Sequence, residues 1–518
     1  MKNSAEFYFG LVLIVFLLGC QSPKVGKPPN IVLFVVDDMG WQDTSVPFWN
    51  QRTAFNSIYK TPNMERLAIK GVKFTNAYAT PVCSPTRVSL MTGMNAARHR
   101  VTNWTLRPDQ KQPMELNHPT LNFPDWNYNG IGLDPSTPNT AYARTLAQLL
   151  SKEGYYTIHA GKAHFGAIGY PSSNPLNLGF TINIAGHAAG APGSYLGKEN
   201  YGNGKKGREI WAVPGLEKYH GKDLFLTEAL TKEVINALDT PVKIKQPFFL
   251  YFALYGIHTP LMANERFISP YREMGLEEPE ARYASMIESM DEALGKVLDY
   301  LKANQLEEDT VVLFISDNGG LSAVSRGGEK HTHNYPLKSG KGSIYEGGIR
   351  VPMLAYWPNK IIPNSVNTTP LIIEDFFPSL LEMAQIEEAE FPQIIDGQSF
   401  VPLLLNEGLE AAHRPLFWHY PNEWGPEGPG IGSYSAVRLG DWKLIYFHKH
   451  LSLELYNLKD DLQESNNLLD SNRKKALELS KILTMHLQSV EAQMPTEKIM
   501  GEVVPWPNNL LDLSLIHI

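Results

Sequence analysis

Apolar positions along the chain follow two periods. "NIVLFVV", from Asn30, "TVVLFIS", from Thr310, and the run "QPFFLYFALYGIHTP", from Gln246, are continuous stretches rich in β-branched and aromatic residues, as expected of strands buried on both faces. Between them the apolar spacing turns helical. "TPNMERLAIKGV" opens at Thr61 with Pro62 in the first turn, and "NTAYARTLAQLLSKEGY" closes at Gly154. This alternation predicts an α/β domain whose mostly parallel sheet lies between helices. Three segments break the pattern and are expected to be functional loops: 100–140, rich in Asn, Pro and Trp; 185–222, rich in Gly; and 417–433. From about residue 410 short strand-like pieces follow, "YSAVRLGDWKLIYF" and "LELYNL", and then the helical run "NRKKALELSKILTMHLQSVEAQM". The expectation is a large domain over 30–410 and a smaller α+β subdomain with a short antiparallel sheet over 411–518.

With 518 residues the chain is long enough for more than one core. Its 46 basic and 54 acidic side chains leave a net charge of −8, so no global field draws in nucleic acid, and any anion site has to be built locally. The N-terminus reads differently. Lys2 precedes the apolar run "FYFGLVLIVFLLG", too short to span a bilayer comfortably, and "LLGC" resembles a bacterial lipoprotein cleavage site. Residues 1–20 are therefore expected to be a signal segment and 21–29 a tether behind a lipidated Cys20, which places the protein in a bacterial cell envelope, as a periplasmic or outer-membrane lipoprotein. An ordinary cleaved signal peptide is the alternative. With a lipidated Cys20, Cys83 is the only thiol of the folded body, and no internal disulfide can form.

The first and last of the three strands end alike, in Asp37-Asp38 and in Asp317-Asn318. Singly, "DDMG" and "SDNGG" are explained as turns. Strand carboxyl ends converge on the ligand crevice of an open α/β sheet, however, and together the four side chains form an all-oxygen set that favours Ca²⁺, or less strongly Mg²⁺, over Zn²⁺. In "PVCSPTRVSLMTG", Ser84 suits an N-cap, Pro85 a first helical position and Gly93 a stop. A short helix over 85–92 is expected, with Cys83 just ahead of its N-terminus and Arg87 in its first turn. A buried structural thiol is the competing account of Cys83.

"CSPTR" followed by "SLMTG" resembles the signature of the type I sulfatase family, within the alkaline phosphatase-like superfamily. The resemblance runs from about Pro29 to about Asn467. "GKAHFG" brings in Lys162 and His164, "HTP" His258, "GKGSIYEGGIRVP" Lys341, and "AVRLGDWKLI" resembles the C-terminal subdomain. It implies that Cys83 is oxidised by a maturation enzyme to formylglycine, whose hydrate is the nucleophile. It also implies a metal held by Asp37, Asp38, Asp317, Asn318 and the residue at position 83, with Arg87 orienting the diol and Lys162 and Lys341 holding the sulfate. One of His164 and His258, by resemblance His258, protonates the leaving oxygen. Ala163 and Phe165, and Lys338-Ser339, depart from the family's usual residues and put subsite shape in question.

For the substrate the expectation is a sulfated oligosaccharide or polysaccharide attacked at an accessible end. Trp104, Trp126, Tyr128, Trp418 and Trp424 are the candidates for stacking on sugars, and Arg98, His99, Arg100, Arg107 and Lys111 for meeting neighbouring anions. The alternative is that these side chains pin their own loops. Rival functions are a phosphate or phosphonate ester hydrolase of the same superfamily and an inactive glycan-binding lipoprotein.

Overall fold

The computed structural model describes residues 27–387, 389–406 and 414–513. The signal segment, most of the tether and Cys20 lie outside the described residues, as does the expected boundary near 410. No helix among the described residues is long and apolar enough to cross a membrane.

In chain order the elements that build the site and its support are β1 (Asn30–Val36), α1 (Pro62–Lys70), β2 (Val72–Tyr78), α2 (Cys83–Thr92), α3 (Leu146–Lys152), β3 (Tyr156–Gly161), β4 (Ile182–Ile184), α4 (Leu226–Ile244), β5 (Phe248–Ala253), α5 (Glu278–Ala303), β6 (Thr310–Ser316), β7 (Arg350–Tyr356), β8 (Ser365–Asn367), β9 (Leu371–Ile372), α6 (Phe376–Met383), β10 (Leu416–Tyr420), β11 (Tyr434–Leu439), β12 (Trp442–Phe447), β13 (Ser452–Asn457) and α7 (Arg473–Ser489). One nine-stranded sheet runs β8-β2-β7-β6-β1-β5-β3-β4, with β9 also on β2. Its pairings are parallel except those of β7 with β2 and β6. The predicted mostly parallel sheet is therefore present, and it is mixed at β7. The mostly parallel sheet and a separate antiparallel one give the alkaline phosphatase-like arrangement.

Alternation along β1 explains why its sequence is apolar throughout. Ile31, Leu33 and Val35 enter a core with α2, α3 and α6, while Val32, Phe34 and Val36 enter a second core with α4 and α5. A strand covered by helices on both sides has no polar face to offer. The smaller sheet, β10-β11-β12-β13, is antiparallel and packs one face on α7 around Leu444, Leu455, Leu479 and Leu483. Its other face adds Trp418, Tyr434 and Ile445 to the core behind α2.

Three local expectations change. The helix at the cysteine begins at Cys83, because Val82 is the extended flanking residue, and Ser84 does not cap it. Its Oγ instead accepts a bond from the Thr105 amide at 3.1 Å, tying the 100–140 segment to the helix. Gly93 does end the helix, in the left-handed region at φ 72°. The segment expected to be irregular over 417–433 begins with β10, and 100–140 contains the turn of helix Pro113–Leu116. Finally, α3 starts at Leu146 behind Thr145, whose hydroxyl and Gln148 form a reciprocal cap, so the "NTAYA" upstream is not helical.

A chain of buried side chains runs through the smaller sheet. The Gln493 carbonyl accepts from His419 Nε2 at 2.9 Å, so Nδ1 is left to accept from Ser435 Oγ at 2.8 Å. Ser435 Oγ in turn accepts from His448 Nε2 at 2.9 Å, and His448 Nδ1 accepts from Ser433 at 2.7 Å. Both rings are thereby neutral. Burial pushes His419 down from 6.5 to about 4, helped by nearby His486, and pushes His448 well below its ordinary value. The unfolded chain therefore binds protons that the folded one refuses, so this contribution to stability is complete above pH 6.5 and is lost as the pH falls toward 4. Thermal melts are expected to show Tm falling across that window, with a shallower fall in His419→Gln.

Candidate active site

Register brings the two acidic turns together. β1 and β6 pair in parallel with Val36 opposite Ser316, so Asp37 and Asp317 leave adjacent strands at the same level. Asp38 takes a left-handed backbone, φ 64°, a conformation that aspartate tolerates better than most residues, and its amide donates to Asp317 Oδ1 at 3.3 Å. Asp37, Asp38, Asp317 and Asn318 are all fully buried.

Three cations from three other segments face these carboxylates. Arg87, in the first half of α2, gives Nε and Nη2 to Asp317 Oδ2 at 2.9 and 2.7 Å, and Nη1 to the Lys162 carbonyl at 2.8 Å. Lys162, immediately after β3, pairs with Asp37 Oδ2 at 2.6 Å. Lys341 pairs with Asp38 Oδ1, and its Nζ stands 3.9 Å from Cys83 Sγ. The Asn318 amide donates to Asp38 Oδ1 at 2.8 Å. Among these groups Asp37 Oδ1, Asp38 Oδ2 and Asn318 Oδ1 are buried without a hydrogen-bond partner. Unpaired buried oxygens are costly, and three in one place mark a position fitted to a cation. Ligand atoms of Asp37, Cys83 and Asp317 lie within 4.8 Å of one another, as do those of Asp37, Asp38 and His258. The donors are mainly oxygen, which suits a hard divalent ion.

The charges set the local proton affinities. Burial and the Asp317 charge raise Asp37 well above the ordinary carboxylate range, against the pull of Lys162. Burial acts on Asp38 in the same direction, but there the Lys341 ammonium, His258 and Lys162 prevail and hold it low. Burial also raises Cys83, so it is a thiol, while Lys162 and Lys341 pull the other way.

Both histidines reach the site with defined tautomers. His164 gives Nε2–H to the Thr105 carbonyl at 2.8 Å, which leaves Nδ1 an unpartnered buried lone pair. His258 gives Nδ1–H to the Thr259 carbonyl at 2.8 Å, and its Nε2 faces Asp38 Oδ2 at 3.7 Å. Burial and then the Lys341 charge depress His258 to about 3, and burial, Lys162 and Arg87 take His164 well below its usual value.

A cavity of about 330 Å³ opens onto Cys83, His164, His258 and Lys341. A larger cleft of about 720 Å³ between α4 and α5 contains none of these residues. Of the aromatic candidates, Trp104 and Trp424 line the cavity. The other three hold the structure together. Trp126 is buried with its indole N–H on Glu115, Tyr128 packs edge-on against it, and Trp418 donates to the Ala79 carbonyl. The basic candidates also divide. Arg98 pairs with Asp396, buried His99 is bonded to Ser89 and the Val101 amide, Arg100 reaches Glu491, and Lys111 reaches Asp125 and the Phe123 carbonyl. Only Arg107 is exposed beside a cavity residue, Leu106.

The residues that depart from the family's usual pattern stay away from the cavity. Phe165 packs with His159 and Tyr251, and Lys338 lies over the Tyr345 ring. Sequence reasoning missed Trp211, which also lines the cavity; it lies in the glycine-rich segment with no strand or helix pattern to single it out.

Residues 29–386 match the sulfatase family, and residues 339–493 match the C-terminal part of N-sulphoglucosamine sulphohydrolase. This chain belongs to the sulfatase family. It is thus a sulfuric ester hydrolase. A sulfatase of Formosa agariphila is 29% identical over 91% of this chain and 90% of its own length, and the N-acetylgalactosamine-6-sulfatase of Mus musculus is 30% identical over 84% and 75%. The crystal structure of Ps i-CgsB superimposes with a TM-score of 0.70 at 28% identity, covering 90% of this chain and 94% of that one. In complex with k-i-k-neocarrahexaose the same protein gives a TM-score of 0.69 at 26% identity, over 95% and 98%.

The charged floor is buried in this chain, with Arg87, Lys162 and Lys341 each paired to one of its carboxylates. Removing one partner of a buried pair strands the other, so Arg87→Ala is expected to cost about 3–5 kcal/mol through Asp317. Urea unfolding of the mature protein measures that loss.

Proposed function

We propose that this sulfatase hydrolyses sulfate monoesters on sulfated carbohydrates, with the nucleophile made from Cys83. The observation that carries the reading is the convergence of Asp37, Asp38, Asp317, Arg87 and Lys162 on Cys83, His164, His258 and Lys341, the last four of which line one cavity. The names of relatives point the same way, since N-acetylgalactosamine-6-sulfatase and a complex with k-i-k-neocarrahexaose stand among them.

Asp37, Asp38, Asp317, Asn318 and the residue at position 83 would hold Ca²⁺, whose chemistry there is to polarise a sulfate oxygen and acidify a bound hydroxyl. Formylglycine at position 83 supplies, as its hydrate, an oxygen nucleophile that the buried thiol does not provide. The remaining work falls to the chain's own groups. Lys162 and Lys341 hold the sulfate oxygens, and Arg87, fixed by two bonds to Asp317, orients the nucleophile. An anion arriving beside His258 raises its proton affinity, and Nε2 then carries the proton given to the leaving sugar oxygen. The free Nδ1 of His164 accepts a proton in the step that regenerates the aldehyde. The N-terminal segment, read from sequence alone, would tether the enzyme to a bacterial envelope.

Cys83→Ala is expected to keep its fold by circular dichroism and to lose sulfate release entirely. Normal turnover by that variant overturns the scheme. Lys162→Ala is expected to raise KM more than it lowers kcat, as measured by steady-state sulfate release from an aryl sulfate. At about 100 times its Kd, Ca²⁺ is expected to stabilise the protein by about 2.7 kcal/mol, and the gain is lost in Asp37→Asn. Activity removed by a chelator and restored by zinc alone contradicts the calcium assignment.

A further inference from the structure

The cavity above the sulfate site is walled by Trp104, Trp211 and Trp424 with Leu106, Leu321 and Val324. Lys341 is the one Lys, Arg, Asp or Glu among its lining residues, and it belongs to the sulfate site. The three tryptophans are half-buried, and their indole N–H groups make no hydrogen bond to another described residue. This separates them from Trp126 and Trp418, whose indoles are bonded within the chain.

Trp424 is also held in place. A Cβ on Gly342, where φ is 85°, would lie 2.1 Å from its ring, so the indole rests directly on the backbone that follows Lys341. Free indole donors on flat apolar walls match the alternating CH faces and hydroxyl edges of a sugar ring. The volume, about 330 Å³, is near the lower end of the roughly 300–1,000 Å³ of small-molecule sites and suits one ring.

We infer that the enzyme takes a sugar ring whose sulfate is its only anion, such as a monosulfated hexose or N-acetylhexosamine, and rejects rings that carry a second sulfate, an N-sulfate or a carboxylate. The inference rests on the sulfatase reading above. A second anion on the same ring would lose its water against these walls without gaining a cation, which is strongly unfavourable. The nearby cations lie outside the lining. Arg107 is exposed next to Leu106, and the Arg208 guanidinium lies 5.8 Å from the centre of the Trp211 ring. Both are placed to meet anions on a neighbouring ring rather than on the bound one.

The test uses full-length protein whose formylglycine has been verified by peptide mass. Sulfate release is compared for an aryl sulfate, for galactose, fucose and N-acetylhexosamine monosulfates at each position, and for matched doubly charged rings such as N-acetylgalactosamine 4,6-disulfate and glucosamine 2-N,6-O-disulfate. At least one monosulfated ring is expected to be cleaved, with kcat/KM for its doubly charged counterpart lower by roughly 100-fold or more. Val324→Arg, which adds a cation at a wall position that is 44% exposed, is expected to narrow that gap by about 10-fold or more.

Equal turnover of matched rings overturns the inference and leaves the sulfatase reading intact. Cleavage of the aryl sulfate without any monosulfated ring does the same. Absence of release from every sulfate ester overturns the reading beneath it.

Discussion

Asp37, Asp38 and Asp317 are held together out of water, and three buried carboxylates in one place repel each other unless cations stand among them. Much of the architecture around the site follows from meeting that requirement. Parallel pairing of β1 with β6 sets the acids side by side. Arg87 is delivered by α2, Lys162 by the end of β3, and Lys341 by the loop before β7, so three separated stretches of chain are drawn to one point. The charges nearly balance, yet three buried oxygens still lack a partner. A site that was only structural would have bonded them, and the unpaired oxygens fit this floor to a cation.

The smaller sheet acts on this site from behind. Lys443, in β12, is fully buried and binds the Ile344 carbonyl, Glu346 and Glu464. It therefore fixes the backbone just beyond Lys341, and the Tyr434 hydroxyl adds a bond to the Gly342 carbonyl. The segment that follows β10 carries Trp424 forward onto that same backbone. The C-terminal part of the chain thus contributes both the brace behind Lys341 and one wall of the cavity.

Long loops around the cavity are irregular in backbone but not loosely attached. Ser84 bonds the Thr105 amide, His164 bonds the Thr105 carbonyl, and buried Glu115 gathers Trp126, Asn422 and the Gln112 amide. Such anchoring lets segments without a repeating pattern hold aromatic walls in a fixed position, which is what recognition of a rigid sugar ring requires.

The sequence determined a great deal here because its signals are local. Unbroken apolar runs mark β1, β5 and β6 since both faces of each strand are covered, and the oxygen-bearing pairs Asp37-Asp38 and Asp317-Asn318 at the ends of β1 and β6 mark the floor. Cys83, Arg87, Lys162, His164, His258 and Lys341 were legible through short motifs whose order along the chain is their signature. The tertiary structure alone decided which residues of similar type do different work. Trp126 and Trp418 read like Trp104 and Trp424, but the first two have buried partners for their N–H groups and the others face a cavity. Arg98 and Lys111 are likewise occupied by acids distant in sequence or by backbone carbonyls. Ser84, a cap by composition, became a loop anchor because the helix began two residues earlier than expected, at Cys83. Pattern and motif are written in neighbouring residues; partner and exposure depend on other segments, some of them hundreds of residues away, and only folding brings those together.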